Sequence, residues 1–231
     1  MFFIPIAISF MLILSEMISE KFKGLKLFLT VSGLQSSTHL ISWTIFSLFS
    51  SFIFSILTFI VINLINSEFI NNVYKIFWLV YFFVVSFAMN SLAILINSLA
   101  TSGRAGLNFA YGFLLFGFIF QSLMTGPNSV NYFYSGKFLS SILEVVFSFY
   151  PGYNYIKIYS DLVFFSGSRF DSSQKIYVKG ERLKLEQIFN SYNKPSFMQD
   201  IEMYSIFHSF VLIFRNILIY YLLAYIAENT L

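Results

Sequence analysis

The stretch Ser19-Glu20-Lys21-Phe22-Lys23-Gly24-Leu25-Lys26-Leu27-Phe28-Leu29-Thr30-Val31-Ser32-Gly33-Leu34 is a charged, amphipathic interval between two long apolar runs, Met1–Ile18 and His39–Ile65. An α-helix needs about 20 apolar residues to cross a bilayer core about 30 Å thick, and both runs come close to that length. The charged interval therefore reads as a connection at the membrane surface. Drawn as one helix, it places Ile18, Phe22, Leu25 and Leu29 on a single stripe and turns Lys23 and Lys26 away from it. A helix of that kind can rest on anionic headgroups or dock on a partner, and periodicity leaves both open. Gly33-Leu34 reads as its C-cap, and Ser36-Ser37-Thr38 open the next span.

Three further runs have spanning length: Ile76–Leu99, Leu107–Met124 and Tyr204–Ala227. With 57% hydrophobic, 21% aromatic and only 11% charged residues in 231, the chain carries more apolar surface than a water-soluble core can hide. Mean hydropathy is +0.74. Backbone amides at membrane depth must be satisfied internally, so runs this long form helices, and the short alternating segments of a β-barrel are absent. Trp43, Trp78, Tyr74, Tyr81 and Tyr225 fall near predicted span ends, where amphipathic rings favour the interface. The link Asn97–Ala105 reads as a tight turn carrying Arg104. The chain starts and stops abruptly against apolar sequence, which suggests part of a larger membrane domain.

Phe138–Phe165 is different. It holds Glu144, Asn154, Lys157 and Asp161, and Pro151-Gly152 interrupts it near the middle. A charge at the bilayer centre costs about 2.5–3.5 kcal/mol on insertion scales. The polar load thus favours a re-entrant helical hairpin over residues 138–165, entering and leaving on one side, with residues 166–202 as an exocytoplasmic loop. The positive-inside rule pulls the other way, because that loop holds Arg169, Lys175, Lys179, Arg182, Lys184 and Lys194. It also holds Asp171, Glu181, Glu186 and Asp200, and the local cost of the polar load carries more weight. The expected fold class is an all-α integral membrane domain over residues 1–231, with five transmembrane helices plus the re-entrant hairpin and a cytoplasmic coupling segment at residues 19–37.

Chemistry is scarce. No Gly-x-x-x-x-Gly-Lys-Ser/Thr loop is present to cradle nucleotide phosphates. Also missing are the Gly-x-Ser-x-Gly elbow, the His-Glu-x-x-His pair and a His followed four residues later by Asp, so no catalytic residue and no metal ligand set is expected. There is no Cys, and the two His, His39 and His208, read as helix-end residues. The net charge of +3 sits in connections and is not interleaved with aromatics as a nucleic-acid surface would be. Arg215 stands apart, near the middle of the last span, where an ionisable group is a functional candidate. Glu144 is its first candidate partner and Glu16 the second.

The spacing Glu20-Lys21, Leu25-Lys26, Gly33-Leu34 and Ser42-Trp43 resembles the first cytoplasmic connection in the membrane domain of the A subfamily of ABC exporters, the lipid-moving group. Softer likenesses cover Asn97–Arg104, Leu139–Asp161 and Leu222–Ile226. The resemblance implies an ABC-2 type membrane domain in which Glu20, Lys21, Gly24, Leu25, Lys26, Gly33 and Leu34 couple to an ATPase domain. It further implies a nucleotide-binding domain and a second transmembrane domain as partners, membrane lipid around them, and ATP-Mg bound outside this chain. The cargo would be a lipid or another hydrophobic molecule. The chain departs from the family at Leu27, where an acidic residue is common, and at Arg215, where Asp is. The alternative is a multi-span scaffold or regulator with no motor.

Overall fold

The computed structural model describes residues 3–33, 35–65, 68–124, 141–171, 176–194 and 201–230. Among them, five helices are long and apolar enough to cross a membrane: α1 (Phe3–Phe22), α3 (Ser36–Ile65), α5 (Lys75–Leu99), α6 (Gly103–Met124) and α10 (Ile206–Thr230). They are the five expected spans, with shifted ends. α6 starts four residues before the apolar run because Ser102 caps it, its Oγ accepting the amide of Ala105 at 3.2 Å. Arg104 therefore lies in the first turn of a helix, not in the connection.

The expected single stripe through residues 18–29 is broken. α1 ends at Phe22 and the short α2 (Leu25–Val31) begins beyond Gly24, so Ile18 and Phe22 belong to one helix and Leu25 and Leu29 to another. Gly24 has φ +81° and Gly33 has φ +94°. This is the left-handed region, where a Cβ meets the carbonyl and glycine avoids that cost.

The described chain forms two compact units. The first comprises Met1–Thr58, Phe82–Gly117 and Phe214–Leu231. In it α1 buries Phe3, Ile6, Phe10, Ile13, Leu14 and Met17 along one stripe. α3 inverts the soluble pattern: Ser47, Ser51, Ser55 and Thr58 are buried, while Ile45, Phe49, Phe52, Ile53 and Leu57 are exposed. Small hydroxyl residues let helices approach closely, and lipid tails cover the apolar remainder. Gly106 works in the same way, since a Cβ there would lie 2.8 Å from Ile18 Cδ1 and 3.1 Å from Ala100 Cβ.

The second unit comprises Phe59–Tyr81 and Phe118–Ile213. It includes α4 (Glu68–Asn72), α7 (Ser141–Ser148), α8 (Pro151–Ser166) and α9 (Leu185–Phe189). Two antiparallel ribbons follow α8. One pairs β1 (Arg169–Asp171) with β2 (Ile176–Val178), in the register Phe170 opposite Tyr177, and the other pairs β3 (Tyr192–Lys194) with β4 (Ile201–Met203), with Asn193 opposite Glu202. The segment expected as a plain loop thus has its own small structure. Pro151 opens α8, where its missing N–H costs nothing, so the interruption at Pro151-Gly152 separates two helices. Asn154 Nδ2 donates to Ser148 O at 2.8 Å across that break, and the Phe147 and Tyr153 rings stack.

Candidate functional site

The carboxyl end of α1 puts Glu20 and Lys21 side by side, and each grips a different helix. Glu20 Oε2 accepts the indole N–H of Trp43 at 2.9 Å, and its Oε1 lies 3.3 Å from His39 Nε2. Both partners are on the first turns of α3. Lys21 reaches the end of α5, where Nζ donates to the carbonyls of Asn97 at 2.8 Å, Ser98 at 3.3 Å and Ala100 at 2.9 Å. The last carbonyls of a helix have no intrahelical partner and carry the negative end of its dipole, so an ammonium group with three protons suits them. Ser98 Oγ lies 3.3 Å from Glu228 Oε1 of α10. Polar contacts therefore join the ends of α1, α3, α5 and α10.

α2 follows directly. The amide of Lys23 still bonds to Ser19 O at 3.0 Å, then Gly24 turns the chain. Leu25, Phe28 and Val31, three residues apart, are 52%, 67% and 80% exposed. Residues at that spacing share one helix face, so α2 presents an apolar face outward. Leu34 lies outside the described residues, as does the side chain of Lys26.

Deeper in the first unit, Asn90 of α5 is fully buried and ties two helices to its own. Its Nδ2 donates to Ser51 Oγ at 2.7 Å, Ser9 Oγ at 3.1 Å and Ser47 O at 3.4 Å, and Ser9 Oγ donates to Asn90 Oδ1 at 3.3 Å. Ser47 Oγ extends the network to Tyr221 OH of α10 at 3.2 Å. Sequence reasoning passed over Asn90; its signal is an amide alone among apolar neighbours, facing a Ser/Thr stripe at helical spacing on α3. In the second unit, Lys157 and Asp161 form a buried ion pair one turn apart on α8, and Lys157 Nζ also donates to Tyr204 O at 3.0 Å. Within α8 the polar side chains of Asn154, Lys157 and Asp161 are buried.

Arg215 is half-buried on α10 and donates from Nε and Nη2 to Asn216 Oδ1, at 3.4 and 3.2 Å. Glu16 is exposed on α1. Glu144 belongs to α7, and its side chain lies outside the described residues. No group of three or more His, Cys, Asp or Glu able to hold a metal occurs among the described residues.

Among the described residues, five helices of spanning length, four of them joined by polar contacts, with a short amphipathic helix between the first two, describe a membrane domain with an exposed apolar connection. The family model for ABC-2 family transporter proteins matches residues 1–230. The chain belongs to the ABC-2 transporter family. No curated protein and no solved structure matches it. It is a multi-pass membrane protein and a transport component, and membrane domains of this family work with a nucleotide-binding domain.

Proposed function

We propose that this ABC-2 chain is the membrane domain of an A-type ABC exporter, moving a lipid or another hydrophobic cargo with energy from a separate ATPase domain. The observation that carries the reading is α2: a short helix between two spans, bounded by Gly24 and Gly33 in left-handed conformations, with Leu25, Phe28 and Val31 facing outward. The likeness of Glu20, Lys21, Leu25, Lys26, Gly33, Leu34, Ser42 and Trp43 to the A-type connection supports it. ATP binding draws two motor domains together, and a helix seated on one of them carries that motion to the spans, a rigid-body transition of a familiar sort. A second transmembrane domain completes the pathway, and no chemistry is done on the cargo.

The same reading makes residues 138–165 a re-entrant hairpin and residues 166–202 exocytoplasmic. In support, α7 and α8, at 8 and 16 residues, each fall short of the ~20 residues a span requires. Single cysteines replacing Lys23 and Glu181 in this Cys-free chain should react with an impermeant maleimide from opposite faces; labelling from one face refutes the hairpin.

Leu25→Asp in the reconstituted transporter tests the coupling. Transport of a fluorescent phospholipid should fall while insertion stays normal. Unchanged transport with altered lipid association would favour an interfacial helix, and absence of any ATPase partner would favour the motorless scaffold.

A further inference from the structure

Glu20 and Lys21 match positions that the family likeness assigns to docking, yet both side chains are occupied within the membrane domain. Consecutive residues on an α-helix point about 100° apart, so an adjacent pair cannot serve one neighbour but can hold two. Glu20 holds Trp43 and His39 at the start of α3, and Lys21 holds the last carbonyls of α5. The exposed groups are elsewhere, on α2 at Leu25, Phe28 and Val31. A displacement of α2 enters the spans at both of its ends, through Gly33 into the start of α3 and through Gly24 into the end of α1, and at the end of α1 it meets these two grips.

We infer that Glu20 and Lys21 form a divided transmission joint. They are positioning residues: Glu20 passes movement of α2 to α3 through the indole N–H of Trp43, and Lys21 passes it to α5 through three carbonyl bonds. Ser98, one of the residues held by Lys21, extends the second branch to Glu228 of α10. The inference rests on the coupling role proposed for α2, and it separates docking residues from transmitting ones.

The two branches can be cut separately. Lys21→Met keeps most of the apolar stem and removes every donor. Trp43→Phe removes the shorter of the two contacts of Glu20 with α3, leaving His39 at 3.3 Å, and keeps an aromatic ring beside Phe46, whose centroid lies 5.5 Å from that of Trp43. The test uses the whole transporter, purified through a tag on this chain, and compares hydrogen–deuterium exchange with and without ATP-Mg. In the unmodified complex, ATP-Mg should change exchange at both the start of α3 and the last turn of α5. Lys21→Met should shrink the α5 response about tenfold, well within the range of measured site-to-site couplings, and leave α3 responding. Trp43→Phe should leave α5 responding and shrink the α3 response in part, since Gly33 and the His39 contact still tie α2 and Glu20 to α3, and Lys21→Arg should restore the α5 response. The ATPase subunit should still co-purify with both single variants.

An α5 response in Lys21→Met equal to that of the unmodified complex overturns the joint. So does loss of the ATPase subunit in that variant, which would make Lys21 a docking residue. Should Lys21→Met fail to insert, Trp43→Phe reads the other branch alone, and equal α3 responses with and without the indole N–H refute it. Phe28→Asp tests the underlying reading independently: if the subunit still co-purifies, α2 is not the dock, whatever the branch variants show.

Discussion

Asn90→Ala offers the sharpest test of how the first unit is held. The carboxamide has two N–H protons for the acceptors Ser51 Oγ, Ser9 Oγ and Ser47 O, and its Oδ1 takes one hydrogen bond from Ser9. About three interactions are therefore made at once. Hydrogen bonds between membrane helices average about 0.6 kcal/mol and reach about 1.7, since the unfolded chain in a membrane also finds partners. Their loss comes to about 2 kcal/mol, with about 5 as a ceiling. Ser51 Oγ keeps its bond to Ser47 O at 2.7 Å, whereas Ser9 Oγ retains only Ser50 at 3.4 Å, so the lower figure applies. On the soluble-protein scale that is a fall in Tm of about 4–8 °C. The assay is thermal unfolding of the purified protein in nanodiscs, checked by titration with a denaturing detergent. Asn63→Ala is the control, because Asn63 Nδ2 donates to Phe59 O of its own helix at 2.8 Å and ties nothing together. If the two variants unfold at the same temperature, the network does not hold α1, α3 and α5 together.

Gly24→Ala and Gly33→Ala should each cost about 1–2 kcal/mol, from backbone conformation alone, because a Cβ at either site has nothing within 4 Å. Faster trypsin cleavage beside the exposed Lys23 reports it, and cleavage at the original rate contradicts it. Removing either member of the buried Lys157–Asp161 pair should cost about 3–5 kcal/mol, read as lost yield of folded protein, while Lys157→Met with Asp161→Leu should recover most of it. A double variant as poor as the single ones refutes pairing as the cause. Gly106→Val should destabilise by about 1–3 kcal/mol through crowding against Ile18, whereas Gly112→Ala, with open space around it, should raise the Tm. Equal effects at the two glycines would mean that α1 and α6 are not in tight contact.

The five spans were legible because a bilayer imposes a length and an apolarity that few other structures demand. Their ends were not, since apolarity stops where lipid stops while a helix stops where its caps are. Ser102 is an example: it starts α6 in polar sequence, and the hydropathy of Leu107–Met124 contains no trace of it. The stripe through Ile18, Phe22, Leu25 and Leu29 misled because four residues at helical spacing weigh more by eye than one glycine at φ +81°. Strands of three residues are too short for alternation to register, which is why β1 to β4 were read as loop. The site was half visible. Glu20 and Lys21 stood out by motif, yet their partners at Trp43, His39 and Asn97 to Ala100 are set by tertiary packing that no local pattern encodes.

The contrast between α3 and α5 indicates where movement is cheapest. In α5, 78% of the most apolar window is buried, against 28% in α3. Among the described residues, the buried face of α3 within the first unit consists of His39 and small hydroxyl side chains, several of which also bond to their own helix, as Ser51 does to Ser47 O and Thr58 to Phe54 O. A hydroxyl satisfied within its own helix loses little when a neighbouring helix shifts. The bonds that cross from α3 to α5 and α1 are few, those of Asn90 worth about 2 kcal/mol. Inverting a two-state equilibrium from 1:99 to 99:1 takes about 5.5 kcal/mol of differential binding. On the coupling proposed above, a motor domain that engages α2 in only one state would have to supply that differential, and the crossing bonds of Asn90 would take up less than half of it. Under that proposal the polar lining of α3 and the grip of Glu20 would be two halves of one requirement: a helix loose enough along its length to move, and held firmly enough at one end to be pulled.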